Sequence, residues 1–282
     1  ILPIIMKPHH PRATEATTKY FLIQATAATM ILLASIMNAR QTGQWSIQHT
    51  SPIPTLLTTA AIMLKLGMAP VHLWYPQVLQ GVTTNTALMI STWQKIAPLT
   101  LLYMTHHNLN HTILLFLGLT SALLGGWAGL NQTQTRTIMA FSSIAHMGWL
   151  ITAMTLNPSL TTLTMITYMT MTFATFMPLA TTTKTITDLG TTWSLSPTTL
   201  TSTTITLMSL GGLPPLTGFM PKWLILKEMS STGLTLLSTL LLLASLPSLF
   251  FYIRLTYLTM LTTPPTTTNT EHKWRFKQDH PT

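Results

Sequence analysis

Lys65, Lys95, His146 and Lys222 each fall inside a long stretch with few other charges. Lys65 precedes Leu66-Gly67-Met68-Ala69-Pro70, and Lys95 sits in Trp93-Gln94-Lys95-Ile96-Ala97-Pro98. His146 lies in Ser142-Ser143-Ile144-Ala145-His146-Met147-Gly148-Trp149, and Lys222 lies between Pro221 and Trp223. The chemistry that suits such residues is proton transfer. Desolvation disfavours an ammonium and a nearby carboxylate favours it, so a lysine under both influences changes protonation when the balance changes. Histidine titrates near neutrality and suits a relay. Groups on packed helices stand roughly 8–12 Å apart, a gap water can bridge. Each residue also has a plainer reading. The lysines could snorkel to an interface, and His146 could be a core histidine bonded to a hydroxyl such as Ser142. His72 is a weaker candidate. Arg136 and Arg254 read as interfacial anchors, and Trp74, Trp149 and Trp223 as packing or belt residues.

The carboxylates are Glu15, Asp188, Glu228, Glu271 and Asp279, all near the ends of apolar stretches or between them. Glu15 and Lys19 have the i,i+4 spacing of ordinary helix support. A lysine relay built from this chain therefore has no acid of its own at mid-membrane.

The elements that must position these residues follow from composition. Of 282 residues only 7% are charged, against about 25% in an ordinary soluble domain. The hydrophobic share of 47% is modest, because Thr fills about a fifth of the chain; a threonine hydroxyl can bond back to the carbonyl one turn earlier and so enter lipid. The class is a polytopic membrane protein rather than a soluble enzyme. A helix needs about 20 mostly apolar residues to cross the hydrocarbon, and eight segments meet this: 14–37, 53–80, 83–105, 109–128, 131–155, 158–180, 198–228 and 232–261. An apolar stub, Ile1–Met6, precedes them and reads as the end of a further helix, so the chain reads as a fragment. Runs such as Leu240-Leu241-Leu242-Leu243 do not alternate as a barrel strand must. With eight crossings, Lys7, Arg12, Lys19, Arg136, Lys184, Lys273, Arg275 and Lys277 share one side and Arg40 and Lys227 the other, which assigns the basic side to the cytosol or matrix.

Segments 53–80 and 198–228 are long and share a defect. The first holds Gly67 and Pro70, the second Gly211-Gly212-Leu213-Pro214-Pro215-Leu216-Thr217-Gly218. Proline removes an amide donor and glycine loosens the backbone, so both read as broken helices. Non-helical backbone at membrane depth is tolerated only in a protein interior or beside a wet cavity. The breaks lie five spans apart, an odd offset that reverses direction, as in inverted transporter repeats whose interrupted helices mark the working site.

Other chemistries are excluded. With no cysteine there is no disulfide, thiolate zinc site, Cys-ligated iron–sulfur cluster or Cys nucleophile. Gly125-Gly126-Trp127-Ala128-Gly129 lacks the spacing of a dinucleotide fingerprint. His9-His10 and His106-His107 read as solvated loop pairs rather than metal ligands. The net charge of +9 is scattered along the chain and makes no nucleic-acid face.

Several motifs together carry a resemblance: Pro11-Arg12-Ala13-Thr14-Glu15-Ala16 with Lys19-Tyr20-Phe21, Lys65-Leu66-Gly67-Met68-Ala69-Pro70, Trp93-Gln94-Lys95, Gly129-Leu130-Asn131-Gln132-Thr133-Gln134, His146-Met147-Gly148-Trp149 and Gly211-Gly212-Leu213-Pro214-Pro215-Leu216-Thr217-Gly218-Phe219. Over essentially its whole length the chain resembles the chain 2 family of vertebrate mitochondrial NADH:ubiquinone oxidoreductase, the antiporter-like subunits of respiratory complex I. The resemblance implies an all-α antiporter-like domain over 1–262 in the mitochondrial inner membrane, then a polar loop, 263–282, before a last helix beyond Thr282. It implies proton translocation with other membrane-arm subunits, Lys65 and Lys95 as the lysines of the first half-channel and connecting region, and Lys222 as the lysine of the second broken helix. His146 matches a mid-membrane position. The family's intramembrane glutamate would lie upstream of Ile1. NADH, FMN, iron–sulfur clusters and ubiquinone would belong to partner subunits. A stand-alone cation/proton antiporter and a structural membrane scaffold are the competing readings.

Overall fold

A computed structural model describes residues 2–6, 10–45, 50–182, 185–190 and 197–261. Lys7, His9, Lys184, Lys273, Arg275, Lys277 and the segment 263–282 lie outside them. The described chain is helical; its one β-type contact is an isolated bridge between Gln134 and Thr185. After a short helix α1 (Leu2–Ile5) come α2 (Pro11–Thr42), α3 (Pro52–Leu66), α4 (Trp74–Gly81), α5 (Thr84–Ser91) and α6 (Trp93–Thr105). Then follow α7 (His111–Gly129), α8 (Thr135–Leu156), α9 (Pro158–Thr182), α10 (Ile186–Gly190), α11 (Pro197–Gly211), α12 (Phe219–Ser231) and α13 (Thr235–Leu261). Five of these, α2, α7, α8, α9 and α13, are long and apolar enough to cross a membrane singly.

Local chemistry sets the ends. Proline, whose missing N–H costs nothing in a first turn, opens α2 and α3. The Asn110 side chain accepts from the Thr112 amide at the start of α7. Both predicted breaks are present, between α3 and α4 and between α11 and α12, and both first halves close in the same way. Gly67 (φ 67°) and Gly212 (φ 81°) take the left-handed conformation. The following amides reach back, Met68 to the Met63 carbonyl at 3.1 Å and Leu213 to that of Met208 at 3.5 Å. This is the Schellman arrangement, which satisfies carbonyls that a helix end leaves orphaned. Each break also contains a cis prolyl bond, Ala69–Pro70 and Pro214–Pro215.

The segment 83–105, expected as one continuous span, is corrected to two helices. α5 ends at Ser91, Thr92 departs from helical geometry (φ −110°, ψ −71°) and α6 begins at Trp93. No glycine or proline stands at this interruption.

α8 is the centre of the bundle. Apart from Arg136, His146, Thr155 and Leu156 every residue in it is buried. Lipid gives no hydrophobic drive to helix association, so close packing of small residues must hold the bundle. Gly118, Ser121, Ala122 and Gly125 of α7 supply it, facing Ala145, Gly148 and Thr152 of α8. Threonine behaves as its abundance requires: the hydroxyls of Thr164, Thr172 and Thr175 donate to carbonyls of their own helix at 2.8–3.0 Å. Loops are tied together as well. The Arg136 guanidinium donates to the Val82 carbonyl, the Ile186 amide to that of Thr133 at 3.1 Å, and Arg254 to that of Leu130 at 2.9 Å. The two arginines read as interfacial anchors thus bind backbone at helix ends. Large apolar side chains such as Leu33, Phe116, Phe250 and Leu236 remain exposed on the outside.

Candidate functional site

The interruption between α5 and α6 determines the setting of Lys95. In a continuous helix the Lys95 amide would bond the Ser91 carbonyl; it bonds that of Thr92 instead, at 3.2 Å. The Ser91 carbonyl is taken by the hydroxyl of Tyr168, on α9, which donates to it at 3.0 Å. The same hydroxyl accepts from Lys95 Nζ at 3.3 Å. Lys95 is 2% exposed. Its Nζ lies 4.9 Å from the ring centroid of Tyr75 and 5.3 Å from that of Tyr168, within cation–π reach of both. Snorkelling is therefore ruled out for this lysine.

Lys222 is half-buried on the first turn of α12. Its Nζ donates to the Gly211 carbonyl at 3.1 Å, placing a cation at the negative end of α11, and lies 5.9 Å from the Trp149 ring. His146 interrupts the burial of α8 because it faces a cavity. Its Nε2 stands 3.4 Å from the Tyr252 hydroxyl on α13, so its partner is Tyr252 and not Ser142, whose hydroxyl donates to the Met139 carbonyl of its own helix. His146, Trp149, Tyr168, Met171 and Lys222 line one cavity of about 30 Å³. A water needs about 10–15 Å³ on that measure, so this space, mostly apolar but carrying the polar groups of His146, Tyr168 and Lys222, can hold one.

The structure thus brings His146 and Lys222 together and links Lys95 to them through Tyr168. It does not bring in Lys65, which is half-buried in the last turn of α3 and has no partner among the described residues. His72 is buried in the first break with Nδ1 unpartnered. Trp74 and Trp149 are buried, while Trp223 is exposed. The one ion pair among the described residues, Glu15–Lys19 at 2.5 Å, lies on the surface; Lys19 also donates to Gln77 at 3.0 Å. No group of three or more His, Cys, Asp or Glu capable of holding a metal occurs among the described residues.

Sequence reading missed the tyrosines Tyr75, Tyr168 and Tyr252, all buried around Lys95 and His146. An uncharged aromatic in an apolar helix looks like core, and the signal that could have found them is only the phenolic oxygen, which usually takes a partner when buried, as among the described residues in Tyr168 and Tyr252 but not Tyr75.

Comparison with known proteins agrees with this architecture. Residues 1–250 match the family model of the NADH:quinone oxidoreductase/Mrp antiporter membrane region, and residues 249–282 that of the NADH dehydrogenase subunit 2 C-terminus. The NADH-ubiquinone oxidoreductase chain 2 of Carassius auratus is 54% identical over 98% of this chain and 80% of its own length. That of Xenopus laevis is 50% identical over 100% and 82%. Among solved structures, respiratory complex I from Thermus thermophilus contains a chain that superposes with a TM-score of 0.82 at 27% identity, over 92% of this chain and 62% of that one. The Mrp complex of Dietzia sp. DQ12-45-1b contains one with a TM-score of 0.83 at 17% identity, over 96% and 56%, a likeness of fold alone. The chain belongs to the NADH:quinone oxidoreductase/Mrp antiporter membrane family, within its NADH-ubiquinone oxidoreductase chain 2 branch.

Proposed function

We propose that this chain conducts protons in the membrane arm of an NADH:ubiquinone oxidoreductase through Lys65, Lys95, His146 and Lys222. It is a multi-pass subunit of the mitochondrial inner membrane, assembled with other membrane-arm subunits. The redox chemistry, with its NADH, FMN, iron–sulfur clusters and ubiquinone, belongs to partner subunits. The observation that carries the reading is the fully buried Lys95, joined through one hydroxyl to the wall of a water-sized cavity that His146 and Lys222 share. A buried ammonium is costly, about 2.5–3.5 kcal/mol at mid-helix on insertion scales, and a scaffold has no use for it. A stand-alone antiporter has support only at the level of fold.

Eight crossings in one domain over 1–262, with the two broken helices in inverted repeats, are part of this proposal. Contacts between loops support the alternation. Arg136 with Val82, and Gln134 with Thr185, join loops that an eight-span path leaves on one side. Thr50 and Asn108–Asn110, on the other side by that path, line a common pocket.

The test replaces Lys65 or Lys95 with Ala in the full-length subunit of the assembled complex. Protons pumped per electron should fall in each. A ratio equal to wild type for Lys95→Ala would remove the assigned role.

A further inference from the structure

We propose that Tyr168 is the positioning residue that fixes the Lys95 ammonium against the cavity of His146 and Lys222, an inference that rests on the proton-conducting reading above. Lys95 does not itself line that cavity, whereas Tyr168 does. Among the described residues, the polar connection from Lys95 toward it runs through the Tyr168 hydroxyl, and the Tyr168 ring lies 5.7 Å from that of His146, centroid to centroid.

The Tyr168 hydroxyl is used both as donor and as acceptor. A phenol has one proton to give and lone pairs to accept with. The proton goes to the Ser91 carbonyl, which is free only because the helix is interrupted at Thr92. A lone pair then faces Lys95 Nζ, four residues further on. The interruption and the tyrosine therefore act as a unit: one exposes a carbonyl, the other uses it as an anchor and turns an acceptor toward the lysine. The neighbouring hydroxyls of α9 cannot substitute. Those of Thr161, Thr164, Thr167, Thr172 and Thr175 all donate to carbonyls of their own helix. Tyr168 alone among these reaches across to another element.

The experiment compares Tyr168→Phe, Lys95→Ala and wild type in the full-length subunit of the assembled complex. It reads protons pumped per electron, and the pH profile of that ratio. Phenylalanine keeps the ring and removes only the hydroxyl. The ratio for Tyr168→Phe should drop to that of Lys95→Ala, and its pH profile should change from wild type, which lost packing would not cause. A wild-type ratio and profile for Tyr168→Phe beside a lowered Lys95→Ala overturns the role of Tyr168 alone; wild-type behaviour of both variants overturns the proton-conducting reading beneath it. If Phe blocks assembly, Tyr168→His, which keeps a ring with one donor and one acceptor nitrogen, is scored in the same way. Failure of both to assemble overturns the proposal in favour of a packing role.

Discussion

Charged residues at membrane depth divide here by what their charge meets. Lys95 and Lys222 each lie within reach of an aromatic ring face, Lys222 also on the Gly211 carbonyl and in the cavity wall, whereas Arg136 and Arg254 each meet a backbone carbonyl and no ring among the described residues. A guanidinium held to a carbonyl supports structure, and its loss should cost stability rather than transport. Hydrogen bonds to charged groups contribute about 1.5–3 kcal/mol, and Arg136 is only half-buried, so Arg136→Met should destabilise by about 1.5 kcal/mol. Thermal inactivation of the purified complex should come earlier, while protons pumped per electron in the surviving complex stay at the wild-type value. A lowered ratio would move Arg136 from the structural to the conducting class. At this scale the sequence singled out the lysines and His146 as candidates, because an ionisable group in an uncharged run stands out. It did not separate Lys65, which has no partner among the described residues, from Lys95, nor reveal Tyr168, because both distinctions depend on which helices touch.

Between residues and bundle lie the helices, whose breaks were legible where covalent chemistry causes them. Gly67 and Gly212 sit where the backbone turns left-handed, and prolines follow both. The third interruption, at Thr92, has no such residue; the nearby Pro98 lies inside α6, which continues through it. That interruption is held by tertiary contact, the Tyr168 hydroxyl on the Ser91 carbonyl, and no local pattern encodes it. The α7–α8 crossing tests the argument that small residues hold the bundle. A Cβ built on Gly148 would lie 2.6 Å from the Gly118 carbonyl oxygen and 2.8 Å from the Ala122 amide nitrogen. Backbone of a neighbouring helix cannot yield as a side chain does, so Gly148→Ala should force the helices apart and cost about 1–3 kcal/mol. The yield of assembled complex on a native gel should fall, and Gly148→Ser should lower it further. Wild-type yield for Gly148→Ala would mean that the crossing is looser than these contacts require.

For the whole molecule the informative property was scarcity of charge. It gave the membrane class, and the threonine back-bonds explain how a chain so rich in hydroxyls remains compatible with lipid. Hydropathy did not distinguish one broken crossing from two short helices, since among the described residues five helices are long enough to span alone. The crossing number is therefore best tested by sidedness. Asn131, between α7 and α8, and Thr232, between α12 and α13, are both exposed. An eight-span path puts α8, α9 and the α11–α12 pair between them, an odd number of crossings, so they must face opposite compartments. Residues 1–282 contain no cysteine, so Asn131→Cys or Thr232→Cys places the one thiol of this stretch on a peptide whose label mass spectrometry can identify. With a membrane-impermeant maleimide, Thr232→Cys should label in mitoplasts whose outer face is exposed. Asn131→Cys should label only in inverted inner-membrane vesicles, because the Lys- and Arg-rich side stays on the matrix side. Labelling of both from one side would show that the broken segment 198–228 does not cross, and would remove the inverted relation between the two breaks along with it.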